Sequence, residues 1–211
     1  MYAIEIENVS KKFKKNIIFE QVNMKIKEGT IVGLVGENGV GKSVLFKMIC
    51  GFSSIDDGSI KVFGKDIGID IDIPEDTGVI IETPGFLEEY DQMYNLKYLA
   101  AIRNRISEND ILETLKKVGL NSENRQKVKK FSLGMRQKLA LAQAIMEKPK
   151  LLILDEPMNG LDEQSVKKIR EVLLDLKEQG TTILFASHMR EDMEILCDEI
   201  YRIEQYQIKK V

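Results

Sequence analysis

The sequence predicts an α/β fold: a core with a parallel sheet, an N-terminal antiparallel β part and an inserted all-helical segment. Three observations support this prediction. Continuous apolar runs at 31–35 and 151–154 are typical of parallel strands covered on both faces. Alternating apolar and polar residues near the start are typical of antiparallel strands. Between about residues 84 and 148 the sequence has helical spacing and no strand pattern.

Length and composition limit the possible functions. A chain of 211 residues has room for one large α/β domain, and 43% hydrophobic with 31% charged residues is ordinary for a globular protein. The net charge of −3 supplies no basic field, so we expect no nucleic-acid partner. Cys50 and Cys197 lie far apart without metal-ligand spacing, which predicts reduced thiols in a cytosolic protein.

We expect neither a signal peptide nor a membrane span. Residues 1–10 alternate charged and apolar side chains, and no apolar run approaches the roughly 18 residues that a span needs. If this protein works at a membrane, another chain must supply the spans.

The N-terminal part of the chain predicts strands before any long helix. An alternating strand is followed by a basic loop that contains Phe13, and a second alternating strand leads to the Glu28-Gly29 turn. We expect these strands to form an antiparallel edge beside the main sheet. The predicted bounds are strand 2–9, loop 10–16, strand 22–26, strand 31–35, helix 44–49 and strand 60–64.

Helical spacing then dominates until the α/β pattern resumes. A short buried strand ends at Glu82, Pro84-Gly85 breaks the chain, and Gly119 and Pro149 end helical segments. The predicted bounds are strand 78–81, helices 95–105, 108–118 and 134–147, strand 151–154, helix 163–178, strand 182–186, helix 190–196 and an alternating tail at 199–208.

The segment between the third strand and the first helix reads G-x-x-x-x-G-K-S, the nucleotide-binding P-loop pattern. Gly39 and Gly41 let the backbone turn its N–H groups toward phosphate oxygens, and the helix adds its positive N-terminal end. Lys42 is placed to reach the β and γ phosphates, and Ser43 offers a hydroxyl to Mg²⁺. A Gly-rich turn before a helix is the alternative. The predicted nucleotide-binding residues here are Gly36, Glu37, Asn38, Gly39, Val40, Gly41, Lys42, Ser43 and Val44.

Polar residues also follow three other predicted strands. In open parallel sheets ligands bind at the carboxyl ends of the strands. Asp155 can hold Mg²⁺ beside Ser43, and Glu156 can accept a proton from an attacking water. His188, the only histidine of the chain, follows a buried strand, where an imidazole can contact a γ phosphate. The alternatives are a solvated strand end before Pro157 and a surface histidine.

Phe131-Ser132-Leu133-Gly134-Met135, followed by Arg136-Gln137-Lys138-Leu139, resembles the Leu-Ser-Gly-Gly-Gln signature of ATP-binding cassette (ABC) transporters, with Ser132 and Gly134 kept. Helix capping by Ser132 is the alternative reading of the pentapeptide. The resemblance spans about residues 2 to 204. It implies one ABC ATPase domain over 1–211, with a RecA-like core and antiparallel β part at 1–82 and 149–211 and a helical subdomain at 83–148.

The resemblance also implies roles for single residues. Ser132 and Gly134 would contact ATP held by the other subunit. Asn159-Gly160-Leu161-Asp162 matches the D-loop, His188 the switch histidine and Glu156 the catalytic base. Phe13 falls where the family has an aromatic residue that stacks on adenine; the alternative is a hydrophobic loop anchor. Residues 83–147 resemble the part that docks on the membrane partner.

Three features depart from the common family pattern. Glu82 stands where most members have Gln, a residue that reaches Mg²⁺, and it adds negative charge beside the phosphates. Leu133 and Met135 replace Gly and Gln. Both features resemble the bacitracin- and lantibiotic-type exporters, so we do not interpret Glu82 as a sign of inactivation. The terminal hairpin has Glu204-Gln205 instead of Gly, and we expect no appended regulatory domain after Val211.

The sequence therefore predicts an ATP- and Mg²⁺-binding ATPase subunit that forms an ATP-sandwich dimer with a second copy or a homologous subunit. It would drive a separate transmembrane permease from the cytoplasmic face of the membrane, and the resemblance implies an exporter of peptides or drugs. Ser43, Asp155 and Glu82 are the predicted metal residues, and Lys42, Glu156 and His188 the catalytic ones. The competing class is a soluble ABC ATPase acting on the ribosome or DNA, but only one cassette and no coiled-coil insertion occur here. A non-hydrolysing module is disfavoured by the retained Lys42, Asp155, Glu156 and His188, and a GTPase by the lack of an Asn-Lys-x-Asp motif.

Overall fold

The computed structural model describes residues 1–82 and 85–211. Within these ranges the chain contains ten strands and six α-helices, and the strands form two sheets. The strands are β1 (Tyr2–Phe13), β2 (Asn16–Lys27), β3 (Ile31–Val35), β4 (Asp57–Val62), β5 (Lys65–Asp66), β6 (Thr77–Ile80), β7 (Leu151–Asp155), β8 (Thr182–Ala186), β9 (Glu199–Glu204) and β10 (Gln207–Lys210). The helices are α1 (Lys42–Ile49), α2 (Gln92–Arg103), α3 (Glu108–Lys117), α4 (Leu133–Ile145), α5 (Glu163–Glu178) and α6 (Arg190–Leu196), with a 3-10 turn at Val128–Lys130.

The first sheet is antiparallel and has the order β2-β1-β4-β5. It forms a sheet of its own, whereas the sequence predicted an antiparallel edge beside the main sheet. The predicted basic loop at 10–16 is wrong, because β1 continues to Phe13 and pairs with Asn16 across a tight turn. Lys14 takes a left-handed φ of 56° in that turn.

The second sheet has the order β10-β9-β3-β8-β7-β6, and all its neighbours pair in parallel except the terminal hairpin β9–β10. Leu34 pairs with Ala186, and Ala186 pairs with Asp155. This register brings the carboxyl ends of β3, β8 and β7 side by side at one edge. The site described below is built on that edge.

The parallel strands are covered on both faces. Along β8, Ile183 and Phe185 belong to one hydrophobic core, and Leu184 and Ala186 to the other. The first core contains the helices α2 to α6, and the second joins α1 to the antiparallel sheet. The alternation of side chains along a strand explains why the sequence of β8 reads as a continuous apolar run.

Helices α2, α3 and α4 lie between the two parts of the main sheet in the sequence. Asp91 caps α2, and Ser107 with Asp110 forms a capping box at α3, so both helices begin where side chains satisfy their free N–H groups. Helix α2 begins three residues before the predicted residue 95, and α4 ends two residues before the predicted 147. The predicted break at Pro84, and the boundary at residue 83, fall outside the described residues.

Among residues 1–82 and 85–211, no helix is both long and apolar enough to cross a bilayer.

Gly78 of β6 packs closely against Ala144 of α4, and replacement of the glycine tests this contact. An ideal Cβ at Gly78 would lie 2.0 Å from the Ala144 carbonyl oxygen of α4. Because backbone on both sides must move, we expect Gly78→Ala to lower the free energy of unfolding by about 1–3 kcal/mol. Thermal unfolding followed by circular dichroism measures the change. Gly85→Ala is the matched control, since nothing lies within 4 Å of a Cβ there. Equal midpoints for the two variants would contradict the contact.

Candidate active site

The loop between β3 and α1 is tightly folded at the carboxyl edge of the parallel sheet. Gly41 precedes α1 with a φ of 117°, and a Cβ there would lie 2.9 Å from Ile18 and Phe19. A Cβ at Gly36 would lie 2.8 Å from the Val40 side chain. The loop therefore needs glycine at both positions, and it lines a concave surface at the N-terminus of α1.

Lys42 lies folded over this loop. Its Nζ donates hydrogen bonds to the carbonyl oxygens of Gly36 at 2.7 Å and Glu37 at 3.1 Å. The residue is 8% exposed, so its ammonium group is held beside the concave surface and not in bulk solvent.

Ser43 and Asp155 meet across the site. The Ser43 hydroxyl, in the first turn of α1, donates a 2.5 Å hydrogen bond to Asp155 Oδ2 at the end of β7. Two oxygen atoms are thus placed together beside the loop, and oxygen is the ligand type that Mg²⁺ prefers. They leave most of the coordination sphere to water or phosphate, which fits Mg²⁺. No group of three or more His, Cys, Asp or Glu that could hold a metal occurs in the described ranges.

Glu156 and His188 form a second pair next to Asp155. His188 Nε2 lies 3.1 Å from Glu156 Oε1, and the His188 N–H donates a long 3.4 Å hydrogen bond to Oε2. Although the ring is close, its direction does not make a hydrogen bond, and the buried Oε1 has no hydrogen-bond partner among the described residues. Burial raises the pKa of Glu156; His188 and Lys42 oppose this effect, and Asp155 adds to it.

Glu156 sits in a left-handed backbone conformation with a φ of 49°. Its N–H donates to the Ala186 carbonyl oxygen at 3.0 Å, which ties the residue to the end of β8. A non-glycine residue with positive φ is held there by its surroundings.

One cavity of about 460 Å³ joins these groups. It gathers most of the predicted site residues from four strand ends. Those that line it are Asn38, Gly39, Gly41, Lys42, Ser43, Val44, Glu82, Asp155, Glu156 and His188. Leu133, Arg136, Gln137 and Asn159 complete the lining.

Glu82 is at the rim of the cavity and faces a cation on α1. Its carboxylate accepts a 2.5 Å hydrogen bond from Lys47 Nζ, and its side chain is 63% exposed. The added negative charge of Glu82 was expected from the sequence, but its partner Lys47, which offsets this charge, was not. Lys47 lies five residues after Lys42 on α1, so helical spacing alone does not place it beside Glu82; the pairing comes from the packing of α1 against the segment after β6.

Several predicted residues lie outside the cavity lining. Gly36, Glu37 and Val40 belong to the same loop. Phe13 lies 47% exposed at the end of β1, with Lys11 Nζ 4.9 Å from its ring centroid.

Ser132, Gly134 and Asp162 lie at helix starts. Ser132 caps α4 by accepting from Met135 N, and Asp162 caps α5 by accepting from Ser165 N. A Cβ at Gly134 would lie 3.0 Å from the Gly160 carbonyl oxygen. The start of α4 therefore packs closely against the 159–162 segment.

Gln137 and Arg136 were not predicted as site residues. Gln137 Nε2 donates to the carbonyl oxygens of Glu156 at 3.2 Å and Pro157 at 3.0 Å, so it ties α4 to the segment after β7. Both residues lie in the first turns of α4, directly after the predicted signature. This adjacency in the sequence was the signal that could have identified them.

Comparisons with known proteins agree with this geometry. The sequence model of the ABC transporter family matches residues 19–159. An uncharacterized ABC transporter ATP-binding protein of Bacillus subtilis (strain 168), YybJ, is 44% identical over 92% of this chain and 89% of its own length. The bacitracin transport ATP-binding protein BcrA of Enterococcus faecalis is 39% identical over 94% of this chain and 65% of its length. The lantibiotic transport ATP-binding protein SrtF of Streptococcus pyogenes is 39% identical over 93% of this chain and 85% of its length.

Solved structures are similar over nearly the whole chain. An ATP-binding subunit of an ABC transporter superposes with a TM-score of 0.88 at 28% identity, covering 99% of this chain and 89% of that one. A dimeric ATP-binding cassette in a post-hydrolysis state with ADP and Pi has a TM-score of 0.86 at 22% identity, covering 98% of both chains, which shows the fold. The predicted α/β fold and the resemblance to the bacitracin- and lantibiotic-type branch are confirmed, and the chain belongs to the ABC transporter family.

Proposed function

We propose that this chain is the ATP-binding and ATP-hydrolysing subunit of an ABC transporter. The observation that carries the proposal is the meeting of the P-loop, the Ser43–Asp155 pair and the Glu156–His188 pair in one cavity. A phosphate-binding loop, an oxygen pair for a cation and a carboxylate with a free oxygen are the parts that nucleotide hydrolysis requires.

ATP would bind with its phosphates on the loop between β3 and α1. The loop N–H groups and the positive end of α1 favour an anion at this place. Lys42 would exchange its two carbonyl acceptors on Gly36 and Glu37 for phosphate oxygens. Its position beside the loop means that little reorganisation is needed.

Ser43 and Asp155 would hold Mg²⁺, with Glu82 close by. The ion, when bound, neutralises charge on the phosphates. Glu82 lies in the same cavity lining but is paired with Lys47, which supports a position at the rim and not among the inner ligands.

Glu156 would act as the general base. Among the described residues its buried Oε1 has no hydrogen-bond partner, so a water molecule could donate to Oε1 and transfer its proton there during attack on the γ phosphate. The raised pKa brings the carboxylate closer to the range of an effective base at neutral pH. His188 would contact the γ phosphate and keep Glu156 oriented.

A second ATPase subunit would complete the site. Ser132 and Gly134 at the start of α4, together with Asp162, would approach the ATP of the partner, and Phe13 would stack on adenine. The exposure of Phe13 and of Leu133, at 47% and 65%, supports surfaces that remain available for contacts.

Transport would require a separate transmembrane permease. Residues 83–148 are the part that we assign to a helical subdomain facing this permease, on the inner side of the membrane. The relatives named for bacitracin transport and lantibiotic transport support a peptide-type cargo, which this permease would export.

Lys42→Ala should weaken ATP binding and nearly abolish hydrolysis, because it removes the cation that offsets phosphate charge. Titration with a fluorescent ATP analogue and phosphate release measure the two effects. Lys209→Ala, an exposed lysine change on β10, is the control. Parental binding and turnover in the Lys42 variant would be incompatible with the assigned site.

Glu82→Gln should leave ATP binding by the isolated subunit close to parental, since the phosphates are held chiefly by loop N–H groups and Lys42. Its effect should appear in the stimulation of hydrolysis by the permease more than in the basal rate. ATP titration and hydrolysis assays with and without the permease separate these quantities. Loss of ATP binding in Glu82→Gln would contradict the assignment of the phosphate contacts to the loop N–H groups and Lys42.

Glu156→Gln should separate binding from turnover. Gln keeps the shape of the side chain but cannot take a proton at neutral pH, and loss of a positioned base typically costs about 10²- to 10⁴-fold in rate. Because ATP then persists between the subunits, the variant should accumulate as an ATP-bound dimer while the parent stays mostly monomeric. Gel filtration with light scattering, with and without Mg-ATP, measures this.

The matched control for this experiment is Glu178→Gln, an exposed carboxylate change at the end of α5. It should behave as the parent in both assays. Hydrolysis at the parental rate by Glu156→Gln would remove Glu156 from the base role.

A further inference from the structure

A buried polar cluster lies behind the active site, between α5 and α6, and the proposed function does not use it. Its members are Asp192 of α6, Arg170 of α5 and Ser187, the first residue after β8. They are 0%, 8% and 6% exposed. Burial of charged groups is costly unless they are paired and hydrogen-bonded, and the members of this cluster are hydrogen-bonded to one another.

Asp192 makes the central contacts of the cluster. Its Oδ1 accepts hydrogen bonds from Arg170 Nε at 2.9 Å and Nη2 at 2.6 Å, and its Oδ2 accepts one from the Ser187 hydroxyl at 2.6 Å. Arg170 Nη2 also donates to the exposed Glu191 at 3.0 Å. Both oxygens of Asp192 are therefore engaged, and the carboxylate orients the Ser187 hydroxyl.

The Ser187 hydroxyl in turn closes a three-residue turn. The hydroxyl donates its hydrogen bond to Asp192, and its oxygen accepts a 3.0 Å hydrogen bond from the Met189 N–H. Ser187 and Met189 are the residues directly before and after His188. One hydroxyl thus fixes the chain on both sides of His188.

The turn sets the direction in which His188 faces. The backbone N–H of His188 lies 3.4 Å from Glu156 Oε2, and its ring Nε2 lies 3.1 Å from Glu156 Oε1. Neither contact is a short hydrogen bond, so these contacts alone would hold the imidazole loosely. The buried Arg170–Asp192 pair supplies the missing constraint. A buried ion pair is weak evidence for stability, but it can fix one arrangement of the chain among several.

We propose that Asp192 is a positioning residue for ATP hydrolysis: through Ser187 it fixes the turn that aims His188 at Glu156, and through Arg170 it ties this turn to α5. Helix α5 begins directly after the 159–162 segment. Arg170 therefore links the histidine turn to the helix that carries this segment. The proposal rests on the role given to His188 in the proposed function.

Removal of the Ser187 hydroxyl is the most selective test. Ser187→Ala keeps the Arg170–Asp192 pair and so avoids the unpaired buried charge that Asp192→Asn would leave on Arg170. We expect kcat to fall on the order of 10- to 10²-fold, because small displacements of catalytic groups have effects of this size. The KM for ATP should stay parental, since the phosphates are held by the loop and Lys42. Ser122→Ala, another buried serine in the segment after α3, is the matched control.

The single histidine of the chain provides a readout that does not depend on turnover. His188 gives the only imidazole C–H resonances in a ¹H–¹³C spectrum. We expect these resonances to shift and broaden in Ser187→Ala, and to stay parental in Ser122→Ala. Ser187→Thr keeps a hydroxyl. Parental imidazole resonances and a parental kcat in this variant would show that the changes in Ser187→Ala come from loss of the hydroxyl.

Two results would overturn the proposal. One is a Ser187→Ala variant with parental kcat and parental imidazole resonances. The other is a fall in kcat with unchanged imidazole resonances, because the hydroxyl would then act without moving His188. If the resonances move but the parent itself does not hydrolyse ATP, the positioning of His188 stands and the proposed function fails.

Discussion

The hydrogen bond from Ser43 to Asp155 joins the two halves of the site, and the remaining geometry depends on it. Ser43 belongs to α1 and Asp155 to β7, which are separated by 112 positions in the sequence. They meet because β3, β8 and β7 run in parallel and end at the same level of the sheet. Glycines let the loop before α1 turn tightly at that level, and burial on both faces keeps the strands in register.

Charge balance is the second constraint on this edge. Asp155, Glu156 and Glu82 place three carboxylates around a site proposed for a polyanion. Lys42 lines the same cavity, Lys47 Nζ donates a hydrogen bond to Glu82, and His188 Nε2 lies 3.1 Å from Glu156 Oε1. The buried Asp192–Arg170 pair adds no net charge, and it stands behind the edge where it supports the turn of His188. The extra carboxylate of Glu82 is therefore offset by the ammonium group of Lys47.

Periodicity predicted the elements that are buried on a regular face. The bounds of α5, β8 and α6 agree with the predicted 163–178, 182–186 and 190–196. The prediction of a loop at 10–16 was wrong because Lys12, Phe13, Lys14 and Lys15 are exposed. The sequence therefore lacks the apolar alternation that marks a strand, although the strand pairing continues to Phe13. Most of the cavity lining was predictable, because motifs fix loops at strand ends. Contacts such as Lys47 with Glu82 and Gln137 with Glu156 arise from tertiary packing, which local patterns do not encode.

The assignment of Ser43 and Asp155 as the cation site of a bound nucleotide can be tested by measuring ATP affinity with and without Mg²⁺. Isothermal titration of the parent and of Asp155→Asn gives the effect of Mg²⁺ on the Kd for each chain, without any need for turnover. We expect Mg²⁺ to tighten ATP binding in the parent and to do so far less in the variant, because one of the two protein oxygens is no longer a carboxylate. An equal effect of Mg²⁺ on both chains would contradict the assignment.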